Sequence, residues 1–520
     1  MIPFLTLLAS AALAQEAPVN PQVTTLIERV RSFRAAPPPL DERPTCLTGL
    51  VAELKEHRAH FSPEQWQEVA LALDLPLSTP ATHAPPLSDG TCVGNTGANS
   101  LVGDHFVVYW DNASQAEAEA MLEVLEYSWE TIIDDLGWRE PEGTPSVKLR
   151  FHISNQNYAG AYTTVEWCAG VGYVPYMVTG SGSFSAGSWY KTMGAHEFMH
   201  ASQFSYGFAH EFYWWEASAT WSEEYAYPSS NDWADMYQAF SYYPYIGMNA
   251  SSQSDQAIFY HMYSMGIFAT YLDEYWGGHD TVQDTWVQAA SQSGTYSYWM
   301  PDVLEDMGLD FDQVWQGFMA TTAFMDFRES NYYSDVRGVE SYTTLPASGT
   351  EPNDAAESLG LNHFSFDEDL GEPGKYLQID FSSPDAVDWN VVLVTGSGHT
   401  VYESVALEVI DGEGSAWIPF EGEHEAFLVV SPKDEDASGY NYEWTRADTW
   451  VYDWEACLVD SETGVPCGQG VPNPDDTGDT GDGADTPESP EPTGCGCASG
   501  ALGGAPWLMG LLALARRRKR

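Results

Sequence analysis

The stretch Gly194-Ala-His-Glu-Phe-Met-His200 contains the pattern H-E-x-x-H. Residues four apart share one face of a helix, so His196 and His200 would aim two imidazole nitrogens at one point, with Glu197 beside them. Two neutral histidines suit a zinc ion (Zn2+). With a third protein ligand the fourth position stays open for water, whose pKa then falls toward neutrality. Glu197 is placed to take that water's proton and hand it to a leaving amine. The chemistry expected is metal-assisted hydrolysis of peptide bonds in a protein or peptide substrate.

A third ligand has to follow. A metzincin would carry Gly at 203 and His at 206, and Gln203 and Tyr206 stand there instead. Downstream, Tyr213-Trp-Trp-Glu-Ala-Ser-Ala-Thr-Trp-Ser-Glu-Glu224 predicts a second helix beginning near Trp214 that aims Glu216 back at the first. Glu223 and Glu224, two turns on, are rival ligands, better read as supporting or surface groups. The passage resembles the gluzincins, whose second helix carries W-x-x-E-G-x-A-x-[aromatic]-x-E with the first Glu on zinc. Glu216, Ala219, Trp221 and Glu223 fall into that register, while Ala217 replaces the usual Gly and Tyr213 stands where Trp is frequent. The two helices are closer still to a group of metalloproteases from myxobacteria, and the resemblance spans about Phe106 to Leu272. It implies Glu216 as the third zinc ligand and a Tyr or His beyond it as donor to the oxyanion. Tyr260-His-Met-Tyr263 supplies that cluster, with Tyr263 the candidate, and plain helix packing explains these aromatics equally well. No G-x-M-E-N-type sequence precedes Gly194, so endopeptidase is the expected mode.

The elements that must hold these residues read as α+β. Helical stretches fall at Leu47–His57 and Pro63–Leu73, the latter opened by Ser62 as N-cap. A strand at His105–Trp110, an amphipathic helix over Ser114–Gly137 and a strand at Ser146–Ile153 follow. Gly172–Val178 reads as an edge strand to which an extended substrate could add. Helical, aromatic-rich sequence continues to about Arg328. From near Pro346 the texture changes to short alternating runs: Tyr376–Phe381, Trp389–Val394, Val405–Ile410, Ala416–Phe420, Ala426–Val430 and Tyr440–Trp444. These predict an all-β sandwich. Its opening, Glu351-Pro-Asn-Asp354, resembles the pre-peptidase C-terminal domains of secreted bacterial proteases.

The fold class expected is therefore α+β, a zincin-like catalytic domain followed by an all-β sandwich. The expected divisions are a signal peptide at 1–14, an N-terminal helical segment and candidate propeptide at 15–98, and the metallopeptidase domain at 99–345. The sandwich follows at 346–455, an acidic flexible linker at 456–494 and a C-terminal sorting signal with a short membrane helix at 495–520.

Seventy-six acidic residues against 20 basic give a formal net charge of −56. Such a charge repels phosphate backbones and argues against a nucleic-acid partner. Met1–Ala14 is apolar and ends in Ala12-Leu13-Ala14, a site of the kind signal peptidase cuts, although a basic n-region is missing. At the other end, Gly494-Cys-Gly-Cys497, an apolar run over Ala501–Ala515 and Arg516-Arg-Arg-Lys-Arg520 resemble the MYXO-CTERM sorting signal of myxobacterial surface proteins. That resemblance implies membrane contact through the C-terminal segment before processing, a sorting peptidase as partner, and a destination at the cell surface, outer membrane or exterior. A rival reading is a surface binding or adhesion protein in which the sandwich acts and the zinc site is vestigial.

The N-terminal segment raises the question of latency. Its Cys46 has two readings: a thiolate in the open zinc position, or half of a disulfide with Cys92, which export favours. Cys457 and Cys467 are close in sequence, Cys168 is isolated, and spacing alone does not fix connectivity.

Overall fold

The computed structural model describes residues 21–35, 45–73, 75, 92, 97–144, 146–185, 187–207, 210–252, 255–291, 299–384, 387–434, 450–460 and 467. The chain divides into a unit of residues 1–469 and one of 470–520, and every described residue lies in the first. The signal peptide expected at 1–14, the run Tyr440–Trp444 and the sorting segment at 495–520 lie outside the described residues. No described helix is long and apolar enough to cross a membrane.

The fold is mixed α+β. Three helices open it, α1 (Pro21–Ala35), α2 (Thr48–Glu56) and α3 (Pro63–Leu73), with the short strand β1 (Thr45–Cys46) between the first two. Ser62 caps α3: its hydroxyl accepts from the Gln65 amide while the Gln65 side chain accepts from the Ser62 amide, a reciprocal capping box. A six-stranded sheet is built from β1, β2 (Asn99–Val102), β3 (Phe106–Trp110), β4 (Leu149–Ser154), β5 (Gly160–Cys168) and β6 (Gly172–Gly180), in the order β1-β5-β6-β4-β3-β2. β3, β4 and β6 run parallel, and β5 is antiparallel to β6. The expectation that Gly172–Val178 forms an edge is thus corrected. β6 is interior, and the strand outside it is β5, to which β1 adds in parallel register through Thr45 opposite Gly160 and Cys46 opposite Ala161.

Strand alternation divides the sheet's contacts. Met177 on β6 and Ala161 on β5 join the main core with α4 (Gln115–Trp129) and α5 (Trp189–Gln203). Tyr176, Val178 and Tyr162 face the other way, into a second core made with Leu26, Val30, Leu50, Leu54, Trp66 and Val69 of α1–α3. The N-terminal helices therefore form a layer over the sheet. α4 starts at a capping box between Ser114 and Glu117 and continues as a π-helical stretch over Glu130–Asp135.

At Gly194, α5 lies close against α4: a Cβ there would stand 2.5 Å from Val124 Cγ1. Val124 is itself buried, so the space cannot open cheaply. Gly194→Val should cost about 3 kcal/mol, the upper end of overpacking, read as a lowered denaturation midpoint. A midpoint unchanged from wild type would mean the α4–α5 contact is looser than drawn.

The helical part continues with α6 (Phe212–Ala226), α7 (Asp232–Tyr242), α8 (Gln256–Ser264), α9 (Gly266–Tyr275), α10 (His279–Ser291), α11 (Met300–Asp306) and α12 (Phe311–Phe324). A β-sandwich follows, from β7 (Glu340–Tyr342), β8 (Ala347–Thr350), β9 (Asn362–Phe366), β10 (Tyr376–Ser382), β11 (Asp388–Ser397), β12 (Thr400–Ala406), β13 (Glu413–Pro419), β14 (Glu425–Lys433) and β15 (Asp453–Val459). Its sheets have the orders β13-β10-β15-β8 and β12-β11-β14-β9-β7. The run expected at Val405–Ile410 ends as a strand at Ala406, and Ile410 makes only an isolated bridge to Glu413. β11 is apolar on both faces: Val391 and Leu393 point into the sandwich, and Val392 and Val394 point into the core shared with α12.

Two further expectations are corrected. The acidic linker does not begin at residue 456, because β15 pairs with β10 through Val459 and Cys457 bonds to Cys467. The disulfide expected between Cys46 and Cys92 does not form: Cys92 pairs with Cys168, and Cys46 is free and buried. Two disulfides point to an oxidising, extracellular setting.

Candidate metal centre

Helix α5 is buried all round from Thr192 to Gln203, and α6 from Phe212 to Glu223. Charged residues in such helices must meet partners, since an isolated buried charge is costly. The partners here are one another. His196 and His200 share one face of α5, their rings 4.7 Å apart at nearly a right angle. α6 delivers Glu216, whose Oε2 lies 3.2 Å from His196 Nε2 and 3.5 Å from His200 Nε2.

The far side of each ring is tied down. His196 Nδ1 is 2.9 Å from Glu223 Oε1, and His200 Nδ1 is 2.7 Å from Gln203 Oε1. The Gln203 amide donates its N–H bonds to the Trp215 carbonyl and the Ser218 hydroxyl, which leaves its oxygen to accept from His200. With Nδ1 donating outward, each ring in its neutral form would have its Nε2 lone pair free for a metal ion beside Glu216. The fourth wall is Cys46, whose Sγ is 3.6 Å from His200 Nε2. Ligand atoms of Cys46, His196, His200 and Glu216 all lie within 4.8 Å of one another, and this buried cluster could hold a metal ion.

Two observations test the fit of zinc. Zn–N and Zn–O bonds of ~2.0–2.1 Å and a Zn–S bond of ~2.3 Å set tetrahedral edges of ~3.3–3.4 Å, or ~3.5–3.6 Å where sulfur is involved. The distances of 3.2, 3.5 and 3.6 Å fall close to those edges. The electrostatics agree in sign. Burial opposes a charged His200, yet Glu216 and Cys46 more than offset it and push its pKa up to about 10. Burial likewise opposes the Glu216 carboxylate, and His200 and His196 still hold it down to about 2. The cavity favours a cation where the ligand atoms converge.

Glu197 projects beside this cluster. Its Oε2 accepts from the Thr163 hydroxyl at 2.6 Å and from the Thr48 hydroxyl at 3.3 Å, while Thr48 accepts from the Thr163 amide at 2.8 Å. Burial raises the Glu197 pKa, with His200, His196 and Thr163 pulling the other way. Tyr263, on α8, stacks near His196 at 5.9 Å between ring centroids and lines a small cavity together with Cys46, His196, Glu197 and Glu223. Burial, then the neighbouring Glu216, Cys46 and Glu197, lift its phenol well above its usual range, so it keeps its proton. Tyr260 and His261 do not line that cavity. Glu224 points elsewhere, into a separate cavity with Glu274, Arg328 and Glu329, where burial and then Glu329 raise it to about 8. All five expected site residues therefore meet at one place.

Three participants were not legible as such. Gln203 lies three residues after His200, the same-face spacing that would have flagged it. Thr48 and Thr163 carry no local signal, because their meeting with Glu197 depends on how α2 and β5 pack.

No family model matches this chain, and no curated protein does. Among solved structures, the pre-peptidase C-terminal domain of a collagenase from Bacillus anthracis is similar over 23% of this chain and 94% of its own, at 9% identity and a TM-score of 0.15.

Proposed function

We propose that this chain is an exported zinc-dependent endopeptidase of gluzincin type, its helical and six-stranded part a zincin-like catalytic domain. One observation carries the reading: two imidazole Nε2 atoms and the Glu216 carboxylate converge in a buried cluster, and a second buried carboxylate, Glu197, stands on the same helix beside His196. His196, His200 and Glu216 would hold the zinc, which when bound supplies Lewis acidity to polarise a peptide carbonyl and make water acidic. Glu197 holds a proton between water and the leaving amine, and Thr163 fixes which carboxylate oxygen is free to do so. Tyr263, kept protonated, donates to the oxygen that gains charge as the carbonyl turns tetrahedral. Glu223 and Gln203 orient the rings.

The rival, a surface-binding protein with a vestigial site, draws support from the cluster having four protein donors, the closed set typical of structural zinc. Metal analysis of the purified chain, together with hydrolysis of unfolded casein after the chain is cut at a protease site introduced within residues 76–91, separates the two. The expected result is about one zinc per chain and casein cleavage sensitive to a chelator. Stoichiometric zinc without any cleavage by the cut chain would favour the rival.

A further inference from the structure

The N-terminal layer reaches into the metal centre at three consecutive positions. Cys46 brings its sulfur to His200. The Leu47 amide donates to the Ala161 carbonyl at 2.7 Å, so the segment is stitched to β5 of the sheet. Thr48 reaches Glu197. Together they touch the metal-binding cluster, the proton carrier and the strand to which an extended peptide would add. The cavity left between Cys46, Trp189, His196, Glu197 and Tyr263 measures about 20 Å³, room for one water and none for a peptide.

Cys46 is, among the described residues, the cysteine left out of both disulfides. A buried free thiol facing two histidines and a carboxylate has one use that fits all its neighbours. Deprotonated, it and Glu216 together neutralise a divalent cation, and the fourth tetrahedral position is filled.

We propose that Cys46 is the fourth ligand of the metal and that residues 45–48 are a built-in plug, which holds the centre closed until residues 21–75 are displaced. The proposal rests on the metal site put forward above. On metal binding the Cys46 S–H bond breaks, its proton goes to solvent, and sulfur donates its electron pair to the cation. The Cys92–Cys168 disulfide keeps the rest of the chain tied to the sheet when the segment is displaced. Cys92 is bonded to Cys168 on β5, so a cut within residues 76–91 frees the plug-bearing segment and keeps the chain after Cys92 attached to the sheet.

The test uses the full chain loaded with cobalt(II) in place of zinc, alongside Cys46→Ala. The wild type should show a near-ultraviolet thiolate-to-cobalt absorption that Cys46→Ala lacks, and Cys46 should resist thiol labelling until a chelator is added. Cys46→Ala should keep its metal through His196, His200 and Glu216 and hydrolyse casein about tenfold faster than the uncut wild type, because the plug has lost its tether. Cobalt bound without the thiolate band, or labelling equally fast with and without metal, overturns the proposal and leaves the peptidase reading standing. A thiolate band in a protein that hydrolyses nothing even after cutting within 76–91 upholds Cys46 ligation and sinks the peptidase reading instead. Absence of bound metal in both proteins overturns both. Should the freed chain lose structure because Tyr162, Tyr176 and Val178 are uncovered, the band and the labelling still decide the matter in the intact chain.

Discussion

On the proposed mechanism, Glu197→Gln should lower peptide hydrolysis by roughly 10^2–10^4-fold, the usual weight of a positioned proton carrier, and should leave metal binding in place. The substitution keeps the shape and the bond from Thr163, whose hydroxyl at 2.6 Å can donate to an amide oxygen as readily as to a carboxylate. It takes away only the capacity to hold a proton. Burial raises the pKa of Glu197, against the opposing pull of His200, His196 and Thr163, the direction that suits a proton carrier. His196, His200 and Glu216 keep their mutual bonds, none of which involves the Glu197 side chain. The measurement is the cleavage rate of a quenched-fluorescence peptide, taken on chain cut within residues 76–91, with metal content determined on the same samples. Turnover within a factor of a few of wild type would remove Glu197 from the chemistry. Metal loss would instead mean that Glu197 supports the cluster.

What the sequence disclosed and what it hid follow from how far each signal reaches. H-E-x-x-H is a local pattern on one helix, so His196, Glu197 and His200 are legible wherever that helix forms. Glu216 is a step further, needing only the next helix to fold back, which Trp215 and Ser218 do by bonding Gln203. β5 escaped notice because its residues read as polar: Thr163, Thr164 and Glu166 are buried there, under a layer of helices that the strand's own alternation does not announce. Missing β5 made β6 look like an edge. The same omission hid Cys168 from Cys92 and so misdirected the pairing of Cys46, since cysteine connectivity is a statement about tertiary contacts. In the sandwich, the long apolar run of β11 gave a strand readily, but its two-sided burial against α12 could be seen only once the helix was in place.

The metal ligands can be ranked by removing them in pairs. With Cys46 present, loss of Glu216 still leaves two imidazoles and a thiolate at a tetrahedral site, so Glu216→Ala alone should bind metal weakly but measurably. In a Cys46→Ala background the same change leaves only His196 and His200, and the chain should emerge from dialysis without metal. Glu223→Gln in that background should behave differently. Glu223 touches the outer nitrogen of His196 at 2.9 Å, so its role is to orient the ring and strengthen it as a donor. Replacing such a group weakens metal affinity by roughly 10–100-fold and does not abolish binding. Glu224→Gln, facing another cavity, should leave affinity unchanged. Competition against a chromogenic chelator measures all four proteins on one scale. If, in the Cys46→Ala background, Glu223→Gln empties the site while Glu216→Ala retains metal, the third ligand is Glu223, α6 is turned from the orientation described, and Glu216 becomes the buried partner that fixes His196.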